Sequence, residues 1–154
     1  MFDQIWRKAK RLLTLHYWAG FERCSAYPWL RNRVWTKKQL EEQVEYFKAR
    51  PHVKEIIVGV TSWDKDGNGN VYVTLRPGRH FHIIRWMWER GDGDVVAGCQ
   101  QGFFTNHCRH IDRKEARILA LANGQCTEDM IQHETKLHSE DIWDTPEKYH
   151  YKGN

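Results

Sequence analysis

The sequence lacks the features that would place it in several large classes. None of its four cysteines (Cys24, Cys99, Cys108, Cys126) stands in a Cys-x-x-Cys pair. They read as reduced thiols of a cytosolic protein rather than as a disulfide frame. No stretch approaches the roughly 20 consecutive apolar residues that a membrane-spanning helix needs. The basic N-terminus is not followed by the apolar segment of a secretory signal. There is no internal repeat and no low-complexity tract. Charge of one sign is also scarce in excess: the net charge is +4 over 154 residues, which marks no strong nucleic-acid binder. What the chain has in quantity is aromatic rings, with eight Trp, six Tyr and six Phe. Flat rings suit a core, an interface or a ring-shaped ligand, and composition does not separate these uses. The length fits one domain with a substantial core.

Periodicity supplies the elements. Phe2–Trp18 reads as an amphipathic helix, with Ile5, Ala9, Leu12 and Leu13 on one face and Arg7, Lys8, Lys10 and Arg11 on the other. Gly20–Arg33 is aromatic and irregular, with a turn at Tyr27-Pro28-Trp29. Thr36 opens a second helix with Gln39 at its third position, a capping-box pattern, and Pro51 ends it. Lys54–Trp63 carries a β-branched run and reads as a strand. Its partner is Val71–Leu75, with Val71, Val73 and Leu75 on one face. The loop between them imitates a calcium-binding loop at Asp64, Asp66 and Asn68, but its twelfth position is Leu75 and its flanks are strands. A hairpin turn that binds no calcium is the better reading, because Asp-Gly and Asn-Gly supply positive φ.

After Arg76-Pro77-Gly78 a third helix begins near Arg79-His80-Phe81-His82 and ends at Gly91. His80 and His82 lie two apart and point to different faces of a helix start, which makes a poor chelate. Adding Cys99, His107, Cys108 and His110 gives no zinc spacing, so no metal is expected. Gln101–Gln125 then reads as a strand at Gly102–Thr105, a turn at Asn106–Arg109, and a helix capped by Asp112 and stopped by Gly124. Glu115 is placed to complete a capping box with Asp112, and Ile111 to pack on the first turn. Leu137–Trp143 is compact and polar, and its two carboxylates can pair with Arg79 or Arg113. The tail from Asp144 is polar and expected to be partly mobile. These elements predict an α+β fold: a small antiparallel β-sheet packed by several α-helices.

Two places repeat one logic, a strand end followed by arginine at a helix N-terminus. Free backbone N–H groups and a partial positive charge stand there, suited to phosphate or carboxylate oxygens. Arg79 and His80 form the first, Arg109 and Arg113 the second. Arg79 and Arg109 are expected to face one anionic pocket, with Arg113 the competitor for the second role. Solvated surface arginines are the plain alternative.

The blocks GRHFHIIRWMWE, QGFFT-x3-RHIDRKEARILALANGQ and LHSEDIW resemble those of a family of small phage proteins. Its members carry GxRHH at a helix start, QGFxTxxGRFxxRxEA…A…GQ, and SEDLW. It is identified as the anti-defence family of the first anti-Thoeris type, whose members sequester the cyclic ADP-ribose isomer used as an alarm signal. The resemblance covers Glu55–Trp143, and the first fifty or so residues have no counterpart in it. Two positions depart from the pattern: Cys108 stands where glycine is usual, and His110 where Phe is usual.

The resemblance implies binding without turnover in the cytoplasm of the infected bacterial host, no enzyme activity and no cofactor. The partner it implies is a small cyclic nucleotide, either a cyclic ADP-ribose isomer or a cyclic oligonucleotide. Arg79 with Arg109 or Arg113 would hold phosphate, helped by His80. Phe103 (or Phe104, or a Trp) would stack on the base, and Asn106, Asp112 or Asp141 would bond ribose hydroxyls. The chain then divides into a helical extension (1–52), an α+β nucleotide-binding core (53–143) and a tail (144–154), all one domain. A chain this short closes a tight pocket more readily with a second subunit, so a homo-oligomer is expected, with no membrane and no nucleic acid as partner. The alternatives are a phosphoesterase working through His80, His82 and His107, and a nucleic-acid- or protein-binding factor using the basic first helix.

Overall fold

The computed structural model describes residues 32–143. The expected first helix, the turn at Tyr27-Pro28-Trp29, Cys24 and the tail from Asp144 lie outside the described residues. Five strands form one antiparallel sheet in the order β1-β3-β2-β4-β5. They are β1 Asn32–Trp35, β2 Ile57–Trp63, β3 Val71–Leu75, β4 Gln100–Thr105 and β5 His110–Asp112. Among the described residues three α-helices accompany them: α1 Lys37–Lys48, α2 His80–Arg90 and α3 Arg113–Ala122. The fold is therefore α+β, as expected.

The hairpin of β2 and β3 pairs Trp63 with Val71 and Gly59 with Leu75. Its loop is organised by Asp64, whose carboxylate accepts from Asn68 N at 2.9 Å while its backbone closes on Gly69 and Asn70. Only the second glycine of the loop, Gly69, takes positive φ (75°). All of β3 is buried rather than one face of it, because both sides of the sheet are covered. On one side Val60, Tyr72, Phe103 and Ile111 pack against Ile83, Trp86 and Met87 of α2 and Ala116 and Ala120 of α3. On the other side Trp35, Val71, Val73, Phe104 and Cys108 meet Leu40 of α1.

Two strands were not legible. Asn32–Trp35, of which Asn32 and Arg33 were read as irregular and Val34 and Trp35 were given no element, pairs with β3 from Asn32↔Thr74 to Trp35↔Val71. His110–Asp112, where only Ile111 and Asp112 were read and then as the start of a helix, pairs with β4 through Phe103↔Ile111. Three residues carry too little pattern to register as a strand; pairing with an already formed neighbour supplies the missing stability. The caps are half as expected. Thr36 and Gln39 bond reciprocally. Asp112 accepts from Lys114 N and Glu115 N, both at 2.8 Å, but Glu115 does not return the bond. Its carboxylate turns to Arg109 at 2.7 Å, where an ion pair outweighs a neutral backbone donor.

Candidate functional site

Three separated stretches meet at the N-termini of α2 and α3. Arg79 is the N-cap of α2, and its own N–H donates to His82 Nδ1 at 3.0 Å. Glycine and carbonyl geometry then bring in the last stretch: Trp143 Nε1 donates to Gly78 O at 3.2 Å, and Leu137 N donates to Arg113 O at 2.9 Å. The single turn Ser139–Asp141 is closed by Asp141, which accepts from His138 N at 2.7 Å. The segment 137–143 thus lies across both helix starts, and its side chains complete a polar cluster.

Arg113 is the centre of that cluster. It is half-buried, and its guanidinium donates to Gln101 Oε1 at 2.6 Å and to His138 Nδ1 at 2.9 Å. Both partners are neutral acceptors, and among the described residues Arg113 makes no ion pair. Burial holds its acidity above that of a free guanidinium, with Glu140 and Asp141 acting the other way from a distance. Arg79 has 14% of its side chain exposed and one ion pair, Nη1 to Glu140 Oε1 at 3.3 Å. Its Nε is buried with no partner among the described residues. His80 is buried, its Nε2–H donates to Gly102 O at 2.8 Å, and its ring meets Phe103 edge-on. Burial, and then the neighbouring Arg113, lower its pKa to about 4, so it is neutral near pH 7. His138 is pushed down by burial and by Arg113, and it stacks on His133. Burial would raise Glu140, but its backbone contact and Arg79 hold it below the ordinary carboxylate value. The cluster therefore holds two guanidinium groups, one carboxylate that pairs with only one of them, and the first N–H groups of α2, whereas those of α3 at Lys114 and Glu115 are already taken by Asp112.

The structure groups Arg79 with Arg113 rather than with Arg109. Arg109 lies at the turn before β5 and is saturated: Nε to Glu55 Oε1 at 2.8 Å, Nη2 to Glu55 Oε2 at 3.2 Å and Nη2 to Glu115 Oε1 at 2.7 Å. These bonds raise its pKa, with Glu55 the larger cause. Burial alone would raise Glu55, but Arg109 and Thr105 keep it lowered. An anion at Arg109 would have to displace two carboxylates.

The remaining expected ligand groups serve the fold. Phe103 is fully buried in the core and out of reach of a base, because alternation along β4 turns it towards α2 and α3. Phe104 is equally buried on the opposite side. Asn106 spends both halves of its amide on backbone, accepting from Ile56 N at 2.8 Å and donating to Lys54 O at 3.0 Å. Asp112 caps α3, and Asp141 is buried and caps the turn at 139–141. Gln125 likewise clamps both backbone groups of Ile57. Arg79, His80 and Arg113 remain at the cluster, and Gln101 and His138 join them. Those two were missed, although each sits inside a quoted block, because a neutral side chain carries no charge signal of its own.

A cavity of about 700 Å³ lies elsewhere, between α1 and the opposite face of the sheet. Leu40, Val44, Trp63, Val71 and Cys108 line it. Its cations are largely answered: Lys37 by Glu41 at 3.9 Å, Lys48 by Glu45 at 2.6 Å, and Arg109 as above. Volume favours this cleft and unanswered charge favours the cluster. We place the site at the cluster, because an anion gains most where a buried guanidinium lacks a counter-ion.

Comparison with known proteins separates the two places further. No curated protein matches, and no solved structure matches. Residues 56–143 match the family of the phage T4 y16D protein, a span that holds every residue of the cluster and leaves out α1, one wall of the cleft. With more than half of its length inside that match, the chain belongs to the phage T4 y16D protein family.

Proposed function

We propose that this phage-family protein binds a small phosphate-bearing nucleotide messenger and sequesters it without cleaving it, in the cytoplasm of the infected host. A cyclic ADP-ribose isomer or a cyclic oligonucleotide is the class that the resemblance of its blocks implies. The observation that carries the reading is Arg113: a half-buried guanidinium whose partners among the described residues are Gln101 and His138, beside Arg79 and the start of α2. A phosphate placed there would accept charge-assisted bonds from both arginines and from backbone N–H groups. Glu140 is the internal anion that such a phosphate would displace or share Arg79 with.

Binding without hydrolysis is supported by what the histidines do. His80 is committed to Gly102 O, His82 to Arg79 N, and His107 Nε2 to Val53 O at 2.9 Å while it stacks on Phe47. Each ring keeps a second nitrogen, but a general acid or base must reach the substrate proton, and His80 and His82 are buried. Capture of a scarce signal needs nanomolar affinity, about −12 kcal/mol.

The test is to incubate the pure protein with lysate from infected cells, wash it, denature it by heat and identify released small molecules by mass spectrometry. The expected result is an intact nucleotide from the wild type and none from Arg113→Gln or Arg79→Gln, with melting curves showing both variants folded. Each lost charge-assisted bond contributes about 1.5–3 kcal/mol, so affinity should fall by one to several decades. Release of no nucleotide, or accumulation of a cleaved product with time, refutes the reading.

A further inference from the structure

The outer side of α2 carries the largest exposed aromatic groups of the described residues. Trp88 is 63% exposed and Phe81 47% exposed. With the half-buried Ile84 they follow at spacings of three and four, so they form one stripe along the helix. Trp88 rests on Gly93, where any Cβ would strike its ring, so its inner edge is fixed while its outer face meets solvent. Such a stripe on a folded chain marks a contact surface. Beside Trp88 run Arg85 and Glu89, one turn apart and paired at 3.3 Å.

We propose that this face of α2 is the interface with a second copy of the chain, related by a two-fold axis that crosses α2 at the level of Met87. The charges select the occupant. Nucleic acid or an anionic membrane would favour one sign, whereas this face carries both signs one turn apart. A surface with both signs is complementary to its own antiparallel copy. With the axis at residue 87, Arg85 of one copy lies opposite Glu89 of the other, and the reverse pair repeats across the axis. Trp88 is then within about 1.5 Å of the axis along the helix, so the two indoles meet at the centre. A central aromatic anchor ringed by polar contacts is the arrangement that carries most of the affinity in protein interfaces. The interface lies outside the arginine cluster and does not depend on the nucleotide reading.

Sedimentation equilibrium of the full chain, from low to high micromolar concentration, tests this. The wild type should be a dimer. Trp88→Glu should raise the dissociation constant by about thirtyfold or more, the lower range for a central Trp anchor. Arg85→Glu and Glu89→Arg should each weaken the dimer with Trp88 in place, and the double exchange should restore it. Circular dichroism and melting curves should show every variant folded. A wild type that stays monomeric, a dimer that survives Trp88→Glu, or a double exchange no better than the single ones overturns the proposal.

Discussion

Replacing His110 by Phe, the residue usual at this place in the blocks the chain resembles, isolates the energetics of a buried histidine. His110 stands on β5 over Gly102, where a Cβ on Gly102 would lie 2.5 Å from its ring. Its Nδ1 meets Thr61 Oγ1 at 2.7 Å, and its Nε2 is buried with no partner among the described residues. Burial lowers its pKa to about 4 from 6.5. Below pH 6.5 the unfolded chain takes up a proton that the folded chain refuses until about pH 4. The unfolded state binds more protons across that window, so stability falls as the pH falls. At 1.36 kcal/mol per unit, the loss attributable to His110 is on the order of 3 kcal/mol. His80, lowered to about 4 as well, contributes a second share of similar size. Together they are comparable with the 5–15 kcal/mol that roughly holds a domain folded. His110→Phe removes one share. Near pH 7 the change should be small, because the lost Thr61 bond costs about 1 kcal/mol while removal of the unpaired Nε2 returns about 1–3 kcal/mol. Urea denaturation of both proteins from about pH 7 to about pH 4 is the assay, with the variant gaining about 3 kcal/mol relative to wild type on acidification. A stability difference that stays constant over that range would show that His110 is not held neutral, and the reasoning would fail.

Further outcomes follow from Cys108 and Arg109. Cys108 takes positive φ (56°) while buried in the core beneath α1; Cys108→Gly should relieve about 1–2 kcal/mol of backbone strain and lose a similar amount of burial, leaving stability within about 1 kcal/mol, whereas Cys108→Val should cost more than either term, as chemical denaturation would reveal. Burial also pushes its thiol up to about 12, so thiol reagents should leave it unlabelled in the folded state near neutral pH. Arg109→Ala strands Glu55 and Glu115 and should lower stability by about 1–3 kcal/mol while nucleotide capture persists in whatever fraction stays folded; loss of capture in a fully folded Arg109→Ala protein would move the site to Arg109.

The amino-acid sequence by itself determined the elements whose physics is local. The hairpin of β2 and β3 follows from a β-branched run, a turn rich in Asp, Asn and Gly, and a second alternating run. The ends of α1, α2 and α3 follow from Thr36, Asp112, Gly91 and Gly124, each satisfying backbone groups within a few residues of itself. Arginine at the starts of α2 and α3 was also legible, because charge and capping position are read along the chain.

Which arginines share a site was decided only by tertiary structure. Arg109 and Arg113 are four residues apart, yet β5 intervenes and the two guanidinium groups reach different partners. Arg79 and Arg113 are far apart in sequence, yet segment 137–143 binds the backbone beside both. The fate of each charge depends on carboxylates brought from a distance: Glu55 and Glu115 neutralise Arg109, while Arg113 receives only Gln101 and His138. Ion pairing and desolvation act through space, over a few ångströms, and chain order carries no measure of that distance until the sheet has formed.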